Sequence, residues 1–134
     1  MVQIPALTQI AVVRSTLRSL DEAPRQGDEG APDAWLEVDP AFAPGLTGLR
    51  AGDAVVLITW LDRADRRVLE THPRNDASLP RIGVFATRSP DRPNPIGLHR
   101  VTIRAVEATR LRVGPLEAID GTPVLDVKIV WRDD

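Results

Sequence analysis

The chain of 134 residues contains no cysteine and no tyrosine, and only two histidines, His72 and His99. Without cysteine there is no disulfide framework, no thiolate zinc site and no cysteine nucleophile. Two histidines do not make a histidine-rich metal site, and none is expected. Aromatic residues are few, with three Trp and two Phe, so an RNA-stacking surface of the usual kind is not apparent. Lysine is nearly absent as well: Lys128 stands alone among 16 arginines. No apolar run approaches the ~20 residues needed to span a membrane. The first five residues, MVQIP, show neither a basic n-region nor a long h-region, so a cytoplasmic protein is expected.

What is present suits one domain with its own core. Net charge is −2, which does not single out a nucleic-acid binder, but the charge is unevenly spread. Residues 21–39 carry a net of −6, and residues 63–104 a net of +5 from nine arginines. A basic stretch of that kind can face a polyanion, and Arg66 and Arg67 are its candidate contacts. Arginine also favours bidentate binding of carboxylate or phosphate.

Twelve prolines and nine glycines leave little room for helix. Strands are expected at residues 7–13, 34–38, 53–61, 66–71, 82–87, 99–106, 110–113 and 124–131, with 66–71 returning as the hairpin partner of 53–61. Residues 18–33 and 72–80 read as loops, and 40–48 as a turn or one short helix. The fold class is mainly β: a small antiparallel barrel of about seven strands with little helix. Strand patterns claim most of the aromatics for the core.

The most informative run is GVFATRSPDRPNPIGL, residues 83–98. Pro90, Pro93 and Pro95 pre-set its backbone, so it loses little entropy on ordering. Arg88 and Arg92 are then cations on a stiff scaffold. Asn94 lies between two prolines, and Gly97 permits close approach. Such a loop suits an anionic or carboxylate-bearing ligand.

This run resembles the signature of the TrmO (TsaA-like, YaeB-like) family. IAVVRS at 10–15 is similar to the family's opening strand, PRQ at 24–26 to its loop motif, and DGTPVLDVK at 120–128 to its closing motif. The resemblance implies a β-barrel, homodimeric, S-adenosylmethionine-dependent methyltransferase. Its substrate would be tRNA, methylated at N6 of threonylcarbamoyladenosine beside the anticodon. Carried over, the cofactor contacts are Arg25, Gln26, Leu61, Asp62, Arg88, Leu98, Ala118, Ile119, Asp120 and Gly121. Substrate contacts are expected at Arg92, Asn94, Arg66 and Arg67, and no metal is implied.

The chain departs from the family where Asp62 replaces a frequent histidine, where Asp91 replaces an aromatic, and where Ile129-Val130 replaces Pro-Tyr. Many members carry a second, C-terminal domain; here a single domain over 1–134 is expected. Candidates for a general base are Asp120, Asp91 and His99, but the ordinary roles compete. His99 suits a hydrogen-bonding histidine, Asp91 a partner of Arg88 or Arg92, and Asp120 a turn cap beside Gly121. Two other functions stay open: methylation of a small-molecule acceptor, and non-catalytic binding of S-adenosylmethionine.

Overall fold

Apolar residues alternate with polar ones through most of the expected strands, and a strand with that pattern must bury one face. The computed structural model, which describes residues 1–25 and 27–131, buries those faces in a closed barrel. Six strands form it: β1 (Ala11–Arg14), β2 (Ala34–Val38), β3 (Ala54–Trp60), β6 (Ile96–Glu107), β7 (Arg110–Gly114) and β8 (Pro123–Ile129). Their order around the barrel is β1-β2-β7-β6-β3-β8, every pairing being antiparallel. The inward residues Val13, Leu36, Val55, Leu57, Val101, Ile103, Leu111, Val113 and Val124 form the core. Closure leaves no strand edge open to pair with another chain. Register shifts beside Ile58 and Ile103 add the local bends that a narrow barrel needs.

Two expectations change. The barrel has six strands rather than about seven, and the remaining two, β4 (Glu70–Thr71) and β5 (Ile82–Gly83), pair in a separate ribbon. Residues 66–71 therefore do not return onto β3, because both edges of β3 are taken by β6 and β8. Only 3-10 turns occur besides strands among the described residues, the longest being Pro40–Leu46.

The topology places the loops. Strands alternate in direction around the barrel, so the connections 15–33, 61–95 and 115–122 emerge at one end. Connections 39–53 and 108–109 emerge at the other.

Candidate functional site

The candidate site residues that the structure describes lie on the three connections at the first end or on the opening residues of β6. Hydrogen bonds lace these connections together. Leu116 N–H donates to Pro32 O at 2.9 Å, and Asp120 N–H to Leu17 O at 2.7 Å. Ser15 N–H donates to Asp120 Oδ1 at 3.0 Å. Arg74 reaches from the second connection to Glu29 on the first, at 3.1 Å. The end is thus one assembled surface rather than three independent loops.

The proline-rich run is braced from within. The Arg92 guanidinium donates to the carbonyls of Val84 and Thr87. It holds the 3-10 turn Val84–Ala86 against the segment that leads to Arg88. Arg88 itself is exposed, and among the described residues it makes no ion pair. Arg66 donates to Pro93 O at 2.8 Å and to Asn94 Oδ1 at 3.4 Å, with its guanidinium over Trp60. Arg67 chelates Asp65, and that hydrogen bond holds the Asp65 carboxyl below the usual carboxylate range. Three of the four expected substrate contacts are therefore already committed within the chain, and the fourth, Asn94, accepts from one of them.

The base candidates are likewise engaged. Asp91 pairs with neither Arg88 nor Arg92; its Oδ1 accepts the Asp65 N–H at 2.8 Å. Asp120 accepts from Ser15 and pairs with Arg18 at 3.5 Å. His99 is buried, its Nε2 lying 2.7 Å from Thr59 Oγ1 and its Nδ1 against Glu117. Sequence reading missed Thr59 and Glu117. The available signal was parity: Thr59 and His99 sit at inward positions of β3 and β6, where a polar residue needs a partner.

The carried-over cofactor contacts are distributed over the same end. Leu61 N–H donates to Pro95 O at 2.8 Å, which ties Leu61 to the start of β6. Asp62 is exposed beside it, and Arg25 is exposed on the first connection; Gln26 lies outside the described residues. Ala118 and Ile119 are buried, and Gly121 takes a positive φ of 87° that suits glycine. The amides of Asp120 and Gly121 and the carbonyl of Ile119 are spent on Leu17, Val13 and Thr122. A ligand at this turn therefore meets other groups than those three.

Leu98 faces outward into an apolar groove with Val56, Ile58, Ile129 and Trp131. Asp120 lines a separate polar groove with Arg14, Arg18, Trp35 and Glu37. The aromatics are less buried than their strand patterns implied: Phe85 is 86% exposed and Trp131 72%. Phe85 lies on the tip of a turn, and Trp131 just beyond the end of β8. Among the described residues no cluster of acidic or histidine side chains could hold a metal ion. No helix there is long and apolar enough to cross a membrane.

Against known proteins, residues 12–133 match the family model described as the tRNA-methyltransferase O N-terminal domain. The chain belongs to that family. Its relatives include a probable S-adenosyl-L-methionine-binding protein of Archaeoglobus fulgidus, 40% identical over 91% of this chain and 33% of the relative. Another, of Pyrococcus horikoshii, is 43% identical over 72% of each chain. The crystal structure of TrmO from Pseudomonas aeruginosa superimposes with a TM-score of 0.78 at 32% identity, over 96% of this chain and 57% of that one. The chain thus spans a third of the first relative and just over half of the solved TrmO chain. The family's barrel is the barrel found here.

Proposed function

We propose that the protein is an S-adenosylmethionine-dependent methyltransferase acting on N6 of threonylcarbamoyladenosine in tRNA, and that it works as a homodimer in the cytoplasm. The observation that carries the reading is positional. Three sequence-distant motifs of the family converge on one laced end of the barrel. The residues there suit the cofactor. Arg88, exposed and without an ion pair among the described residues, can clamp a carboxylate bidentately. Leu61 and Leu98 offer apolar contact.

Bound there, the cofactor supplies an electrophilic methyl group. The chain's own residues position and shield. The prolines and Arg92 fix where Arg88 stands, and Leu61 is held to Pro95. Because Asp91, Asp120 and His99 are all engaged, the chain contributes alignment rather than a dedicated base. The acceptor nitrogen's proton passes to water as the C–N bond forms. Exposed Phe85 offers a stacking face for an unpaired base, near the cation Arg88. The apolar groove at Leu98, Ile58, Ile129 and Trp131 supports pairing with a second copy.

A second reading, a small-molecule acceptor, is favoured by the internal commitment of Arg66, Arg67 and Arg92, which thins the basic surface available to RNA. The deciding experiment is nucleoside mass spectrometry. The purified protein is incubated with S-adenosylmethionine and tRNA carrying threonylcarbamoyladenosine, then the tRNA is digested. Gain of one methyl group on that nucleoside is the expected result. No gain, with cofactor binding shown separately, overturns the tRNA substrate and favours the small-molecule acceptor.

A further inference from the structure

The connection between β7 and β8 carries a carboxylate that the sequence motifs do not mark. The Glu117 side chain is 17% exposed, and its Oε1 lies against His99 Nδ1. An ionised carboxylate can only accept, so Nδ1 carries the ring proton. Nε2 faces the Thr59 hydroxyl at 2.7 Å, which can donate to that nitrogen. With the ring neutral, the triad carries the charge of its carboxylate. Its members come from the end of β3, the start of β6 and the closing connection.

The first connection passes over the same carboxylate. A Cβ built on Gly27 would stand 3.4 Å from Glu117 Oε2 and 2.8 Å from Pro115 O. Only a glycine fits there, so the backbone at Gly27, two residues from Arg25, runs close to the acid. Glu117 therefore sits where the first connection, the start of β6 and the closing connection meet. Each of these carries residues expected to touch the cofactor. Several acids at this end have their charge matched: Asp120 by Arg18, Asp33 by Arg104 and Arg112, Glu29 by Arg74. Among the described residues Glu117 makes no ion pair with an arginine or lysine.

The geometry points to Glu117, oriented by His99 and Thr59, as the carboxylate that makes this site prefer a sulfonium to a thioether. This rests on the cofactor reading above. Arg25 and Arg88 meet a carboxylate that the donor and the spent product share, so they cannot tell the two apart. The difference lies at sulfur. As the methyl carbon passes to the acceptor nitrogen, the C–S bonding pair stays on sulfur and the nitrogen gives up its proton. The cofactor thereby loses one positive charge. A partly buried, fixed carboxylate feels that loss more strongly than a solvated one. His99 is a positioning residue here: it holds the carboxylate and touches neither reactant.

The test is calorimetric titration of the full chain with S-adenosylmethionine and, separately, S-adenosylhomocysteine. Glu117→Gln is expected to weaken the first about tenfold, about 1.4 kcal/mol, and to leave the second within about twofold. Asp120→Asn and Asp62→Asn serve as comparators at the same end and should keep the wild-type ratio of the two Kd values. His99→Asn, which retains an N–H near the Nδ1 position, should keep the ratio; His99→Leu should shift it toward S-adenosylhomocysteine, as Glu117→Gln does. The inference is overturned if both ligands weaken together in Glu117→Gln, if neither changes, or if the ratio follows Asp120 or Asp62 instead. Should Glu117→Gln fail to fold, the two His99 variants decide alone: an equal ratio in both overturns it. A wild-type chain that binds neither ligand removes the cofactor reading itself. Binding of both with an unmoved ratio removes only this inference.

Discussion

Gly97 sits on the inward face of β6, where a Cβ would stand 2.7 Å from His99 Nε2 and closer still to Thr59 Oγ1. Both neighbours are fixed by their mutual hydrogen bond, so neither yields cheaply. Gly97→Ala should therefore destabilise the fold by about 1–3 kcal/mol, read as a lower urea midpoint with an unchanged slope. A midpoint equal to wild type would show that the triad is looser than it looks. Arg88 poses the opposite case. It is exposed and unpaired among the described residues, so Arg88→Ala should leave the melting temperature in place while weakening S-adenosylmethionine at least tenfold by titration. Asp65 gives a pH effect of known sign. Its carboxyl is held below the ordinary range chiefly by the Arg67 hydrogen bond. The stability it contributes is present above the unfolded pKa and lost as pH falls through the folded one. In Arg67→Ala, NMR titration should find the Asp65 pKa raised part of the way toward the ordinary aspartate range, because the residue-67 N–H still donates to Asp65 Oδ1.

Among the elements, the proline-rich segment owes its shape to one guanidinium as well as to its three prolines. Arg92 bonds two carbonyls that no strand ladder satisfies. Arg92→Ala takes the donor from the Thr87 carbonyl, while Val84 O keeps the Thr87 N–H and hydroxyl, so a loss of about 1–3 kcal/mol is expected. The same variant should bind S-adenosylmethionine more weakly, because Arg88 loses its scaffold. Stability lost with affinity intact would separate the two. The segment also shows what pattern reading can and cannot reach. β2 and β7 were legible because their alternation survives intact, and β3 because it is an apolar, β-branched run. The start of β6 was not: Pro95 marks the loop, yet the strand begins at Ile96, directly after it, and a proline before the first residue removes no ladder bond. The ribbon of β4 and β5 is two residues per strand, too short to show a period. Arg66, Arg67 and Arg92 read as cations for a ligand because their chain-internal acceptors, carbonyls and Asp65, leave no mark in a charge count.

For the whole molecule, barrel closure is the decisive step, because it brings alternate connections to one end and so collects the site. That order of strands follows from long-range pairings, such as β1 with β8, which no local pattern contains. The family's motifs were legible; the Thr59–His99–Glu117 triad was not, since it exists only once β3, β6 and the closing connection meet. Closure also leaves an outer face formed by β3, β6 and β8, where Val56, Ile58, Leu98, Ile129 and Trp131 gather. Burying such a face against a second copy would gain roughly 25 cal/mol for each Å² of apolar area removed from water. A carboxylate placed in it would be desolvated, and Lys128, which also lines the groove, is already paired with Asp126. Light scattering coupled to size exclusion should accordingly find a dimer in the wild type. Leu98→Glu and Trp131→Glu should shift it to monomer while the far-UV spectrum and the barrel's melting stay close to wild type, since both side chains lie outside the core. A wild type that runs as a monomer, or a dimer indifferent to both charges, would place the second copy elsewhere or remove it.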